Sequence, residues 1–133
     1  MSLSDELVQT LMDRVDTRSD AALRTGVAQV WHRLMGKFSP LIGPSSVQLL
    51  FMRSLDANRP LFPWLPSIYE DHPDAVLFSA FQSTLAGQPS DEVIKCTRAL
   101  LGTYIDSLFT LIGTTLTMQF VCSAFRIDDS QRT

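Results

Sequence analysis

The chain has 133 residues, of which 45% are hydrophobic and 19% charged, with a formal net charge of −3. This length predicts one domain with a core of its own, and the acidic balance excludes the basic face that nucleic-acid-binding modules use. The first residues lack the long apolar run of a secretory leader, and Cys96 and Cys122 form no CxxC motif. We therefore expect a cytoplasmic protein with buried, inert thiols.

The spacing of apolar residues predicts an all-α bundle of five or six helices over residues 1–133, with a frayed tail from about residue 127. The first helix is expected over Asp5–Val15, with Ser4 as its N-cap. The second is expected over Asp20–Phe38, because Pro40 should end it. His32 points away from the apolar stripe of this helix, so it is predicted to be exposed.

A third helix is expected over Ser45–Ala57. The stretch "PLFPWLP" follows it, and three prolines in seven residues predict an extended connector that is anchored by Phe62, Trp64 and Leu65. A fourth helix should begin near Pro73, with Asp71 as its cap, and should end at the "AGQP" turn.

The fifth helix is predicted to start at a Ser90 cap and to end near Leu111, and the sixth to end near Arg126. Between Arg98 and Arg126 the only charged residue is Asp106. Hydroxyl side chains scattered through this C-terminal arm argue against a membrane span and favour a central helix. Covering such a helix in a small domain calls for a second subunit, so we predict a homodimer and no membrane association.

The tripeptide Leu-Ile-Gly occurs twice, at 41–43 and at 111–113, in each case between a long apolar helix pattern and a shorter one. Glycine readily adopts the positive φ that closes a helix, so we expect Gly43 to do so. The chain then consists either of two similar helix–break–helix halves or of halves that share this tripeptide by chance. In the second case Gly113 can be a kink in one continuous helix.

The segment "WHRLMGKFS", Trp31–Ser39, carries a His-x-Leu-x-Gly pattern that resembles the motif of histidine phosphotransfer domains. The resemblance implies a helical bundle with His32 as phosphoacceptor, and with Gly36 one turn along so that a partner can approach the ring. Arg33 or Lys37 would hold the phosphoryl group. Met35 stands where that family usually has lysine, which puts recognition by a partner in doubt.

Other groups of residues give weaker indications of a functional site. His72 lies among acidic residues that also make a good helix start, so we expect no metal site and no cofactor. Asp106 is expected to face solvent or to cap a neighbouring helix rather than to be a buried functional carboxylate. A pocket for an apolar ligand remains an alternative to plain core for a set of aromatic residues: Phe62, Trp64, Phe78, Phe81, Phe109, Phe120 and Phe125.

The strings "FSPLIGPSSVQLLFMRSL", "FPWL" and "LIGTTLTMQF" are similar to an uncharacterised family of bacterial all-helical domains that accompany signalling proteins. This resemblance implies a non-enzymatic regulatory or protein-interaction module, possessing a signalling partner and no catalytic residue. The predicted interaction residues are Trp64, Leu116, Phe120 and Phe125. Phosphotransfer through His32 and a small apolar-ligand sensor are the alternatives.

Overall fold

The computed structural model describes residues 3–15, 17–65 and 74–125, with the backbone alone over 74–78. Within these ranges all regular secondary structure is helical, which confirms the predicted all-α class. There are six helices in them: α1 (Leu3–Met12), α2 (Asp20–Ile42), α3 (Pro44–Asn58), α4 (Asp74–Ala86), α5 (Ser90–Ile112) and α6 (Thr114–Ala124).

Helix α2 begins where the sequence predicts but ends later. The Ser19 hydroxyl accepts a hydrogen bond from the backbone N–H of Ala22 at 3.1 Å, as an N-cap does. The expected end at Phe38 is wrong, because α2 continues through Pro40 to Ile42. A proline in the last turn removes one backbone donor and leaves the rest of the helix intact.

Gly43 and Gly113 end the two long helices in the same backbone conformation. Gly43 has φ 93° and ψ 148°, and Gly113 has φ 94° and ψ 154°. Each donates its N–H to the carbonyl four residues back, and each carbonyl accepts from the first turn of the next helix. The positive φ predicted for Gly43 is confirmed, and Gly113 is a true break between α5 and α6.

The two halves of the chain have the same design. Helices α2 and α5 each have 23 residues, and each is followed by a glycine break and a shorter helix. The first residues of these long helices, Asp20 and Ser90, lie 70 positions apart and hydrogen bond to each other. Deeper in the bundle, the rings of Trp31 and Tyr104 pack edge to face at 5.3 Å. Helices α2 and α5 therefore run side by side in the same direction, and both breaks lie at the same end.

The halves are interleaved rather than stacked. Helix α3 packs on α5 of the other half, and α6 packs on α2 in the corresponding way. Helix α1 likewise packs on α5 and α4 on α2. Corresponding positions, 70 residues apart, are also buried alike: Phe38 and Leu108 are both buried, and so are Leu11 and Phe81. These relations describe an approximate internal two-fold axis that runs along α2 and α5.

An aromatic cluster fills the centre of the bundle. The fully buried Trp31 packs edge-on against both Phe51 and Tyr104, and Phe51 does the same against Phe81. The Tyr104 hydroxyl donates to the Val47 carbonyl at 3.1 Å, which satisfies the one polar group of that side chain. Helices α2, α3, α4 and α5 thus share one core.

Three local predictions need correction. Ser4, the predicted N-cap of the first helix, lies inside α1. Ser90, the predicted N-cap of the fifth helix, is instead the first residue of α5, and its hydroxyl hydrogen bonds to Asp20 rather than capping α5. As far as Leu65, the connector after α3 is a series of hydrogen-bonded turns, such as Phe62 N–H to the Asn58 carbonyl at 3.0 Å, rather than an extended segment. Its anchoring is as expected, because Phe62 and Leu65 are buried.

The expected beginning of α4, the cap Asp71 and the tail from residue 127 lie outside the described residues. In the parts of the chain that the structure describes, no helix has the length and apolar character that crossing a membrane requires.

Candidate functional site

His32 lies on the exposed side of α2, as predicted, at the junction of two clefts. One cleft, of about 400 Å³, lies between α2 and α4 and is lined by Val27, Phe81 and Leu85 among others. The second, of about 420 Å³, extends toward α3 and includes Gly36. His32 lines both clefts, which places its imidazole beside accessible surface.

Gly36, which was predicted to give a partner access to His32, lines the second cleft together with it. A Cβ added to Gly36 would meet no atom within 4 Å, so this turn of α2 is open to approach. Lys37 instead extends toward α6, where its Nζ donates to the Ser123 hydroxyl at 2.9 Å and lies 5.5 Å from the centre of the Phe120 ring.

The predicted interaction residues differ in how much surface they expose. Phe120 is half-buried and stacks on Phe38 at 5.5 Å, and Leu116 is half-buried as well. Phe125 is only 2% exposed, so a contact through it requires the end of α6 to open. Trp64 is half-buried and packs against Phe62 at 6.0 Å.

Sequence reasoning missed the most exposed apolar residues at the breaks. Leu41 is 40% exposed and Leu111 is 55% exposed, and the half-buried Ile42 and Ile112 follow them. We call these four residues the break-end patch. The repeated Leu-Ile-Gly was the available signal, since a residue beside a helix break at a bundle end has few neighbours to cover it.

A third cleft, of about 530 Å³, lies between α3 and α5. Its lining consists of Leu50, Arg53, Thr103, Asp106, Ser107, Thr110 and Leu111. Asp106 is exposed, as predicted, and it faces a cleft with an arginine on the opposite helix.

The remaining candidates are not brought together. Phe81 belongs to the core and Phe109 is half-buried against it, while the side chain of Phe78 and all of His72 lie outside the described residues. Across the described ranges, no group of three His, Cys, Asp or Glu side chains is arranged to hold a metal ion. Cys96 is buried and Cys122 half-buried, and neither forms a disulfide.

No protein-family model, curated protein or solved structure matches this chain. The resemblances to histidine phosphotransfer domains and to a signalling-associated bacterial family therefore stay predictions.

Proposed function

We propose that the chain is a non-enzymatic interaction module in bacterial signal transduction, which forms a homodimer through its break-end patch. The observation that carries this proposal is the exposure of Leu41 and Leu111 at corresponding positions of the two halves. Single exposed leucines are common on protein surfaces. Two of them at one end of a bundle, each followed by a half-buried isoleucine, form a surface whose burial is favourable.

The internal two-fold axis makes a second copy of the chain a suitable occupant for this end. In a symmetric dimer the same patch faces itself, so a contact from one residue of the first copy to a different residue of the second is repeated in the reverse direction. The break-end patch offers suitable pairs for such reciprocal contacts, since Leu41 corresponds to Leu111 and Ile42 to Ile112. Leu41 of one copy can then pack on Leu111 of the next in both directions.

The dimer is tested by light scattering of the wild type and of the variants Leu41→Glu and Leu111→Glu. We expect twice the chain mass of 14.9 kDa for the wild type, and a monomer for each variant at the same concentration. Leu61→Glu is the matched control, because Leu61 is 72% exposed but follows the opposite end of α3. A monomeric wild type at about 100 μM, where a micromolar Kd gives mainly dimer, would overturn the proposal.

A second candidate function is phosphotransfer through His32, which is favoured by its exposure and by the open turn at Gly36. An exposed imidazole can accept a phosphoryl group only where a partner domain reaches the ring. Each kinase or receiver encoded beside this gene would be phosphorylated and then mixed with the wild type and with His32→Gln. Acid-labile label on the wild type alone would support phosphotransfer, and an unlabelled wild type would exclude it for those partners.

A further inference from the structure

The internal two-fold axis relates the cleft between α3 and α5 to a region between α2 and α6 that is filled. There, the Phe120 ring stacks on Phe38 and the Lys37 side chain spans from α2 to the Ser123 hydroxyl on α6. The counterparts of Phe120 and Lys37, 70 positions away, are Leu50 and Ser107. Because these side chains are smaller, the region between α3 and α5 stays open.

The open cleft has opposite charges on its two walls. Arg53 lies on α3 and Asp106 on α5, and both are exposed and line the cleft. Across the described residues, no ion pair or hydrogen bond joins these two side chains. Among the described residues, no hydrogen bond joins Arg53 to Ser107 either, although their counterparts Ser123 and Lys37 are joined by one of 2.9 Å.

The hydroxyl groups of α5 make its wall a surface of acceptors. Ser107 and Thr110 donate to the backbone carbonyls four residues back, at 2.9 and 3.1 Å. The Thr103 hydroxyl does the same at 3.1 Å, but it already accepts a hydrogen bond from the Asn58 side-chain amide at 3.0 Å. A hydroxyl whose proton is used in this way offers only its lone pairs to a ligand. Together with the Asp106 carboxylate, this wall suits a cationic donor, whereas the Arg53 guanidinium suits a carboxylate.

We propose that the cleft between α3 and α5 binds a small zwitterion with an apolar side chain, of the α-amino-acid class. Arg53 binds the carboxylate of this ligand, Asp106 and the nearby hydroxyls bind its ammonium group, and Leu50 and Leu111 contact its apolar part. The volume of about 530 Å³ accommodates such a molecule together with water.

The ligand is tested by titrating the full chain with leucine and following backbone amide resonances by NMR. We expect saturable shifts at cleft residues by about 10 mM, which nearly saturates a site with a Kd of about 1 mM. Leucinamide lacks the carboxylate and N-acetyl-leucine lacks the ammonium group, so each should bind at least about 10-fold more weakly. No saturable shift, or either analogue binding as well as leucine, would overturn the proposal.

Variants then assign the site. Arg53→Gln and Asp106→Asn should each weaken leucine binding at least about 10-fold, and Ser107→Lys should abolish it by closing the cleft as Lys37 closes its counterpart. Lys95→Gln and Asp91→Asn remove charges of the same signs elsewhere on exposed helix surface and should leave affinity unchanged. Unchanged affinity in both Arg53→Gln and Asp106→Asn would place the ligand elsewhere.

Leu111 belongs to both the cleft and the break-end patch, so the titration is repeated with Leu41→Glu. This substitution alters the patch but not the cleft lining. Leucine binding by a monomeric Leu41→Glu variant supports the ligand site independently of the dimer, and a dimer without leucine binding overturns the ligand site alone.

Discussion

Gly43 and Gly113 have a backbone conformation that side chains with a Cβ rarely adopt. The combination of φ 93–94° with ψ 148–154° belongs to a region that is essentially restricted to glycine. Outside the glycine and its two chain neighbours, no atom lies within 4 Å of a Cβ built at either position, so the restriction comes from the local backbone and not from crowding by the rest of the fold.

We expect Gly43→Ala and Gly113→Ala each to lower the free energy of unfolding by about 1–3 kcal/mol, because alanine is strained at this φ. Gly36→Ala is the matched control, since Gly36 lies inside α2 with open space around its Cα. In a helix interior alanine is better than glycine, so this variant should gain about 0.5–1 kcal/mol. Urea unfolding measures the free energy of unfolding of all three variants. Equal effects of alanine at positions 36 and 43 would contradict the positive φ of Gly43.

A second residue-scale property concerns the Cys96 thiol and the Tyr104 hydroxyl, two buried ionisable groups in α5. Burial, with a smaller contribution from the charge of Glu92, raises the pKa of Cys96 to about 12. Burial also raises the pKa of Tyr104 above its usual value. Above pH 9 the unfolded thiol loses its proton while the folded thiol keeps it, so the unfolded state binds fewer protons.

Stability should therefore be fully present below about pH 8.5 and fall as the pH rises from there toward 12, by at most about 1.4 kcal/mol per pH unit for the thiol. The measurement is the urea midpoint between pH 7 and 11. Cys96→Ala should show a shallower decline than the wild type. Parallel curves for wild type and Cys96→Ala would show that the Cys96 thiol does not contribute.

At the scale of elements, Phe120 is a direct contact between α6 and α2. Its ring stacks on Phe38 and lies beneath the Lys37 ammonium group, which also donates to Ser123. Leu111, at the end of the preceding helix, is 55% exposed. Phe120 and Leu111 both belong to the C-terminal arm between Arg98 and Arg126, but the fold covers much more of the Phe120 side chain than of the Leu111 side chain.

Phe120→Ala should destabilise the monomeric fold by about 2 kcal/mol, below the usual cost for a fully buried phenylalanine because Phe120 is half-buried. Leu111→Ala should change stability by no more than about 0.5 kcal/mol, as expected for an exposed position. Thermal or urea unfolding of both variants at low micromolar concentration provides the comparison. A neutral Phe120→Ala would mean that α6 is not packed on α2 in solution.

On the scale of the whole molecule, the interleaving of the halves makes each half depend on the other. Each of the shorter helices α1, α3, α4 and α6 packs on the long helix of the opposite half. The central aromatic cluster also draws on both halves, since Trp31 and Phe51 come from the first and Phe81 and Tyr104 from the second.

We therefore expect peptides 1–70 and 71–133, taken separately, to lack cooperative unfolding, and an equimolar mixture to regain it. In the intact chain, the loss of helix by circular dichroism and the change in fluorescence of Trp31 and Trp64 should coincide, as in a two-state transition. Either peptide unfolding cooperatively by itself, as a monomer, would show that the halves are independent.

The sequence by itself determined the helical class, the glycine break at residue 43, the exposure of His32 and the outward position of Asp106. Each of these depends on local chemistry: the 3.6-residue repeat of apolar side chains, the freedom of glycine in φ, and the cost of burying a charge. Such rules operate within a few residues along the chain, which is why one sequence was enough to apply them.

The tertiary structure alone decided which helices cover which faces. The Ser90 hydroxyl bonds to Asp20 rather than to its own helix, Phe125 enters the core, and Arg53 faces Asp106 across an open cleft. Each of these depends on residues more than 50 positions apart or on another helix, and apolar periodicity shows that a face is buried but not against what. The choice is made by packing complementarity among six helices, which no local pattern contains.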